Sequence, residues 1–238
     1  CHIQNYYENK NCEIVGLAET KKKLCNLVAK KYDIPNTFHS HLDLLKSNIN
    51  IDAVVIVVNR HLTEKIVYDC LKKGINVLTE KPTSLNYSSA KKLVNLSEKK
   101  KLIYKVGYNK IYDEGVVLGK KIFDKLYSSN ELGKLVFVRA HRYSGTGYCN
   151  QFGYFKTNEK IKFKFKDTSP KWLPSKLKNQ YLSYLNLYCH NINLLRHFIT
   201  NEPKIDYANI SKLNSGIVIL DFKGVKVSIE TKDYKDDY

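Results

Sequence analysis

The sequence predicts an α/β protein: a parallel sheet wound by helices, followed by an α+β region whose open sheet is largely antiparallel. Three observations predict it. Short apolar runs alternate with helical stretches over residues 13–107, the pattern of strands joined by helical crossovers. Beyond Tyr112 the apolar residues alternate instead, as on a sheet with one wet face. Within the first region, Gly74-Ile75-Asn76-Val77-Leu78-Thr79 runs directly into Glu80-Lys81-Pro82. The proline forces the chain out of the sheet there. Ligands of open α/β sheets bind beyond the carboxyl ends of the strands, so this strand aims an ammonium group at such a place.

Residues 1–10 suit the remainder of a helix. Residues 13–19 read as a short buried strand ending in Glu19. Thr20 then caps a helix reaching about residue 32, with Leu24, Leu27 and Val28 on one face. Asp33-Ile34-Pro35 ends it, and a short helix covers 40–47. Residues 52–58 form an uninterrupted apolar strand, the kind covered on both faces. A helix over 62–73 stops at Gly74, and the strand over 75–79 follows. Asn86 starts a helix to about residue 100, and 102–107 is a further strand.

The second region opens with a helix over 112–127. In the strand over 135–142, Val136, Val138 and Ala140 oppose Phe137, Arg139 and His141. A polar and aromatic stretch over 144–180 is longer than loops without a task usually are. A helix over 181–200 packs Leu182, Leu185, Tyr188, Cys189, Ile192 and Leu195. Strands over 207–212, 216–222 and 225–231 close the fold, and the charged end from 232 frays. The domains are therefore 1–111 and 112–238.

A net charge of +17 invites a nucleic-acid reading, but 36 of the 40 basic residues are lysine. Base readers favour arginine, whose planar fork matches guanine. The lysines are spread along the chain, so no nucleic-acid partner is expected. No stretch reaches the length of a membrane span, and none has the pattern of a signal peptide. The six cysteines are scattered without close pairs. That argues against zinc or any other metal site, against a disulfide framework, and for a reduced, cytoplasmic setting. Methionine is absent and the first residue is Cys1, so the sequence reads as an internal piece of a longer chain.

In a dinucleotide fold, an acid in the position of Glu19 accepts hydrogen bonds from ribose hydroxyls. The alternative is an ordinary glutamate at a helix start, favoured by the dipole. None of the eleven glycines gives G-x-G-x-x-G, and Gly145-Thr146-Gly147 lacks the third glycine. The turn is expected upstream of Cys1, with the first strand.

Several stretches occur in the order found in one family: Ala18-Glu19, residues 52–58, residues 74–82, Val106-Gly107-Tyr108-Asn109, Leu132-Gly133-Lys134-Leu135, and the helix bearing His190. With them the chain resembles the glucose-fructose oxidoreductase, inositol dehydrogenase and MocA (Gfo/Idh/MocA) family of NAD(P)-dependent oxidoreductases. The resemblance implies a Rossmann-type domain lacking its N-terminal strand, then a substrate-binding domain incomplete at its C-terminus. It implies that Lys81 is the active-site lysine and that Glu80 lies near the nicotinamide ribose. It implies that His190 is the general acid or base, with Asn186 one turn before it where the family often has aspartate. Val58, Asn59 and Thr63 follow as cofactor contacts, although the family's threonine-proline is missing there. Asn109 matches a residue near the cleft. Arg142 can hold a hydroxyl, carboxylate or phosphate, or be a polar residue on a wet face.

The implied cofactor is NAD or NADP. Glu19 favours NAD, and Lys21, Lys22 and Lys23 keep NADP open. The implied partner is a small sugar, cyclitol or nucleotide-sugar, and the C-terminal sheet implies a homo-oligomer. A non-catalytic relative that binds a ligand or a protein is the alternative, motivated by Asn186, Asn59 and the absent turn.

Overall fold

The computed structural model describes residues 2–144, 155–161, 167–210 and 215–233. They fall into two compact units, Cys1–Val106 with Asn150–Thr168, and Gly107–Cys149 with Ser169–Tyr238.

The first unit begins with helix α1 (His2–Glu8). The acid-terminated strand is shorter than its sequence suggests: β1 is Leu17–Ala18. It pairs in parallel with β2 (Thr37–Phe38), a strand the sequence pattern does not announce. Between them runs α2 (Lys22–Lys31). Thr20 does not cap it. The cap position is Lys21, with no side-chain bond of its own, and the Thr20 hydroxyl donates to Glu19 instead. Helix α3 (His41–Lys46) has Ser40 as its cap, accepting the Asp43 N–H.

A three-stranded parallel sheet follows: β3 (Ala53–Ile56), β4 (Asn76–Thr79) and β5 (Tyr104–Val106), in that order. The crossovers are α4 (Arg60–Lys73) and α5 (Tyr87–Lys99). Helix α4 ends at Gly74, whose φ of 93° suits a residue without Cβ. Ile56, Val67, Cys70, Leu71, Val77 and Leu93 form the core between helices and sheet. The expectation that residues 52–58 are covered on both faces fails. The helices cover the side of Val54 and Ile56, while Val55, Val57 and Val58 are 39%, 58% and 41% exposed.

In the second unit, a single 3₁₀ turn (Asn109–Tyr112) leads to α6 (Glu114–Ser129), capped by Asp113. Strand β6 (Phe137–Ser144), helix α7 (Lys178–Phe198) and strands β7 (Lys204–Ile210), β8 (Gly216–Phe222) and β9 (Val225–Asp233) complete it. The sheet order is β6-β9-β8-β7. Its β7–β8 and β8–β9 pairs are antiparallel, and β6–β9 is parallel. Helix α7 packs on one face, burying Leu187, Tyr188 and Leu195 against Val218, Leu220, Phe222, Val227 and Ile229.

Two details depart from the sequence pattern. Val136 precedes β6 and is exposed, while Val138 and Ala140 pack inward as expected. Lys232 and Asp233 are not frayed, because β6 pairs with them through Tyr143 and Ser144. The Gly145-Thr146-Gly147 stretch lies outside the described residues, as does much of the long segment over 144–180.

Candidate functional site

In the first unit the chemistry gathers at the carboxyl ends of β1, β3 and β4. The backbone N–H of Glu80 donates to the Ile56 carbonyl at 3.1 Å, so the pairing of β4 with β3 continues one residue past the strand. The Glu80 side chain is held at both oxygens. The His2 ring Nε2 lies 2.7 Å from Oε1, and the Lys81 N–H donates to Oε2 at 3.2 Å. Lys81 is half-buried, and the Lys81–Pro82 peptide is cis. Beyond it the Thr83 hydroxyl is hydrogen-bonded to the Tyr104 hydroxyl of β5. Burial pushes the Tyr104 phenol above its usual range, against the opposing effect of that bond. Leu85 is fully buried, and Asn86 caps α5 by accepting the Ser89 N–H at 2.8 Å. The turn after β4 is thus tied to β3 and α1 just before Lys81, and to β5 and α5 just after it.

At the end of β1, Glu19 is half-buried, and its Oε1 accepts the Lys21 N–H at 2.9 Å and the Thr20 hydroxyl at 3.1 Å. At the end of β3, Val58 is exposed, and Asn59 caps α4 by accepting the His61 N–H at 3.1 Å. Thr63 is only 5% exposed, because positions 63, 67, 70 and 71 share the face of α4 that packs on the sheet.

In the second unit, Asn186 and His190 are half-buried and lie one helical turn apart on α7. Arg142 of β6 donates from Nη1 to the Leu187 carbonyl at 3.4 Å, which sets it beside that turn. Asn109 is exposed at the start of the 3₁₀ turn. A cleft of about 310 Å³ lies between Tyr108 and α7, lined by Tyr184, Tyr188, Cys189, Asn193 and Arg196. Asn186 and His190 are not among its lining residues. Tyr184 stacks on Tyr188 with ring centres 3.9 Å apart. Burial, with the neighbouring Tyr188, pushes the Tyr184 phenol up to about 12. No group of three metal-ligating side chains occurs among the described residues.

Sequence reasoning missed two participants. His2 meets Glu80 across 78 positions, and Glu159 meets the start of α2 across 136. Neither carries a local signal, since contacts at such separations are set by topology.

Residues 1–108 match the family model described as the oxidoreductase family with an NAD-binding Rossmann fold. Over these residues the chain is similar to the Gfo/Idh/MocA family. Among similar proteins, an uncharacterized oxidoreductase of Schizosaccharomyces pombe is 32% identical over 103 residues, covering 43% of this chain and 27% of its own. A 2,7-anhydro-N-acetylneuraminate hydratase of Mediterraneibacter gnavus is 27% identical over 101 residues, covering 42% and 26%. The fold is similar to that of myo-inositol 2-dehydrogenase from Lactobacillus plantarum, with a TM-score of 0.71 at 15% identity, covering 98% of this chain and 66% of that one. The aligned part of this chain thus spans about a quarter of the length of these two curated relatives. No helix among the described residues is long and apolar enough to cross a membrane.

Proposed function

We propose that the whole protein is an oxidoreductase transferring hydride between NAD or NADP and a secondary hydroxyl of a sugar, cyclitol or nucleotide-sugar. One observation carries the reading. Strand β4 of a family Rossmann unit ends in a fixed glutamate followed by a half-buried lysine, at the sheet edge where such folds bind ligands. The same edge fits a nicotinamide dinucleotide. It offers the Glu19 carboxylate for ribose hydroxyls and the exposed Val57 and Val58 as an apolar surface for a flat ring. The cofactor, when bound, supplies the hydride acceptor or donor.

The roles of this chain's residues are those that the family resemblance implies. Glu80 takes the nicotinamide ribose, and its orientation is kept by His2 and the Lys81 N–H. Lys81 presents a compact positive charge that stabilises a hydroxyl oxygen as its proton leaves. In the second unit, His190 is the residue that the resemblance assigns as general acid or base, with Asn186 and Arg142 as candidates to bind substrate hydroxyls. The test is Lys81→Ala in the intact protein. NADH binding is expected to persist, followed by fluorescence, while turnover of a proven substrate falls about a hundredfold or more. Turnover at the wild-type rate would sink the mechanism. The hydratase among the relatives favours a second reading, net gain or loss of water. Product formed without net change in NADH would decide for it.

A further inference from the structure

The first turn of α2 is already occupied. A helix start leaves four N–H groups without partners inside the helix. Here the first helical bond is from the Cys25 N–H to the Lys21 carbonyl, so the open donors are those of residues 21–24. Glu19 accepts that of Lys21 at 2.9 Å. Glu159 accepts those of Lys23 and Leu24, at 2.9 Å on Oε1 and 3.1 Å on Oε2. The Thr157 hydroxyl adds a third bond to Glu159, at 3.0 Å. Burial alone raises the Glu159 carboxyl. The two N–H groups, the Thr157 hydroxyl and the Lys23 charge outweigh it and hold the carboxyl below its usual range, so it is anionic at neutral pH.

A second contact ties this segment to helix starts of the three-stranded sheet as well. The Thr168 carbonyl accepts from the Asn86 amide at 3.1 Å, and the Thr168 hydroxyl meets the His61 ring at 3.4 Å. Asn86 and His61 sit at the starts of α5 and α4. Glu159 and Thr168 therefore touch the N-termini of three helices, each following a parallel strand, the end of the strands at which dinucleotides bind.

We propose that Glu159 is a specificity residue that selects NAD over NADP. The inference rests on the dinucleotide-binding reading above. In this fold the ribose 2′-hydroxyl meets the acid ending the second strand, and a 2′-phosphate must find cationic groups nearby. Lys21, Lys22 and Lys23 are the cations at hand, but two carboxylates hold the backbone donors among them. A 2′-phosphate arriving at this turn meets the charges of Glu19 and Glu159 and finds at least three N–H groups taken. A ribose hydroxyl meets no such repulsion.

The test uses the intact protein, with Glu159→Gln and Glu159→Ala, and fluorescence titration of NADH and NADPH. Wild type is expected to bind NADH more tightly than NADPH. Both variants are expected to tighten NADPH about tenfold while NADH stays within about twofold, since removing a like charge acts on the phosphate alone. An unchanged NADPH-to-NADH ratio overturns the proposal and leaves Glu159 as a tether. So does a parallel loss of both, with Glu159→Gln, which keeps an acceptor oxygen, checking that the fold persists. Wild type that binds neither nucleotide refutes the dinucleotide reading itself, before any variant is compared.

Discussion

The clamp on Glu80 yields a measurable coupling. The perturbation is a double-mutant cycle of His2→Ala, Glu80→Ala and the pair. The ring nitrogen and Oε1 are 2.7 Å apart, the length of a charge-assisted bond. Such a bond contributes about 1.5–3 kcal/mol when shielded from water. A fully exposed ion pair contributes about 0–1 kcal/mol. The two side chains are 34% and 38% exposed, between these limits but open to solvent screening. The coupling expected is therefore about 1 kcal/mol, close to a fivefold change in the folding equilibrium. It is not larger, because the other Glu80 oxygen keeps its bond from the Lys81 N–H when His2 is truncated. Urea unfolding of the intact protein at pH 6 measures it, and the cycle cancels the one-sided losses of each variant. A coupling below about 0.3 kcal/mol at pH 6, the scatter of independent sites, would refute the clamp.

Two further outcomes follow from titratable groups in the first unit. Asp69 is raised by burial, but the bonds from Lys65 and His41 outweigh this and lower its carboxyl overall. A lowered carboxyl gives stability that is present above its unfolded value, about 3.9, and lost as pH falls through the folded value. Asp69→Asn should therefore cost stability at pH 7, and the difference from wild type should shrink below about pH 4. A difference independent of pH in urea titrations would contradict this. Burial, with the charge of Asp69, pushes the Cys70 thiol up to about 12. Thiolate is the reactive form. Iodoacetamide at pH 8 should then modify the exposed Cys12 and spare Cys70 until the chain unfolds. Modification of both at similar rates, read by peptide mass spectrometry, would show that Cys70 is not enclosed.

What the sequence carried well was local. The runs around residues 54–56 and 76–79 are strands because only an apolar run of that length buries against crossing helices. Gly74 and Asn86 mark helix ends because each solves a backbone problem alone, one by its positive φ and one by its side-chain acceptor. The strand β2, at two residues, is too short to show any period. Exposure of Val55 and Val57 was not legible either, since a continuous apolar run looks the same with one face covered or two. Nor was the burial of Thr63, since the helix over its position was legible but the face that packs on the sheet is set by the fold.

The start of α2 shows where local reading of charge breaks down. Three successive lysines beside a strand end suggest a site prepared for a phosphate. That inference treats the lysines as the only charges present. In the folded unit Glu19 closes on the turn from two residues away and Glu159 from 136 residues away, and both bind the backbone donors a phosphate would use. The field at the turn is set by both signs together, and its range, about 10 Å at ordinary salt, exceeds the distance between these groups and the turn they bind. Lysine side chains are long and can turn to water, whereas the helix N–H groups are fixed. The fixed donors, already satisfied by carboxylates, therefore count for more in choosing between a hydroxyl and a phosphate than the three mobile cations that first draw notice.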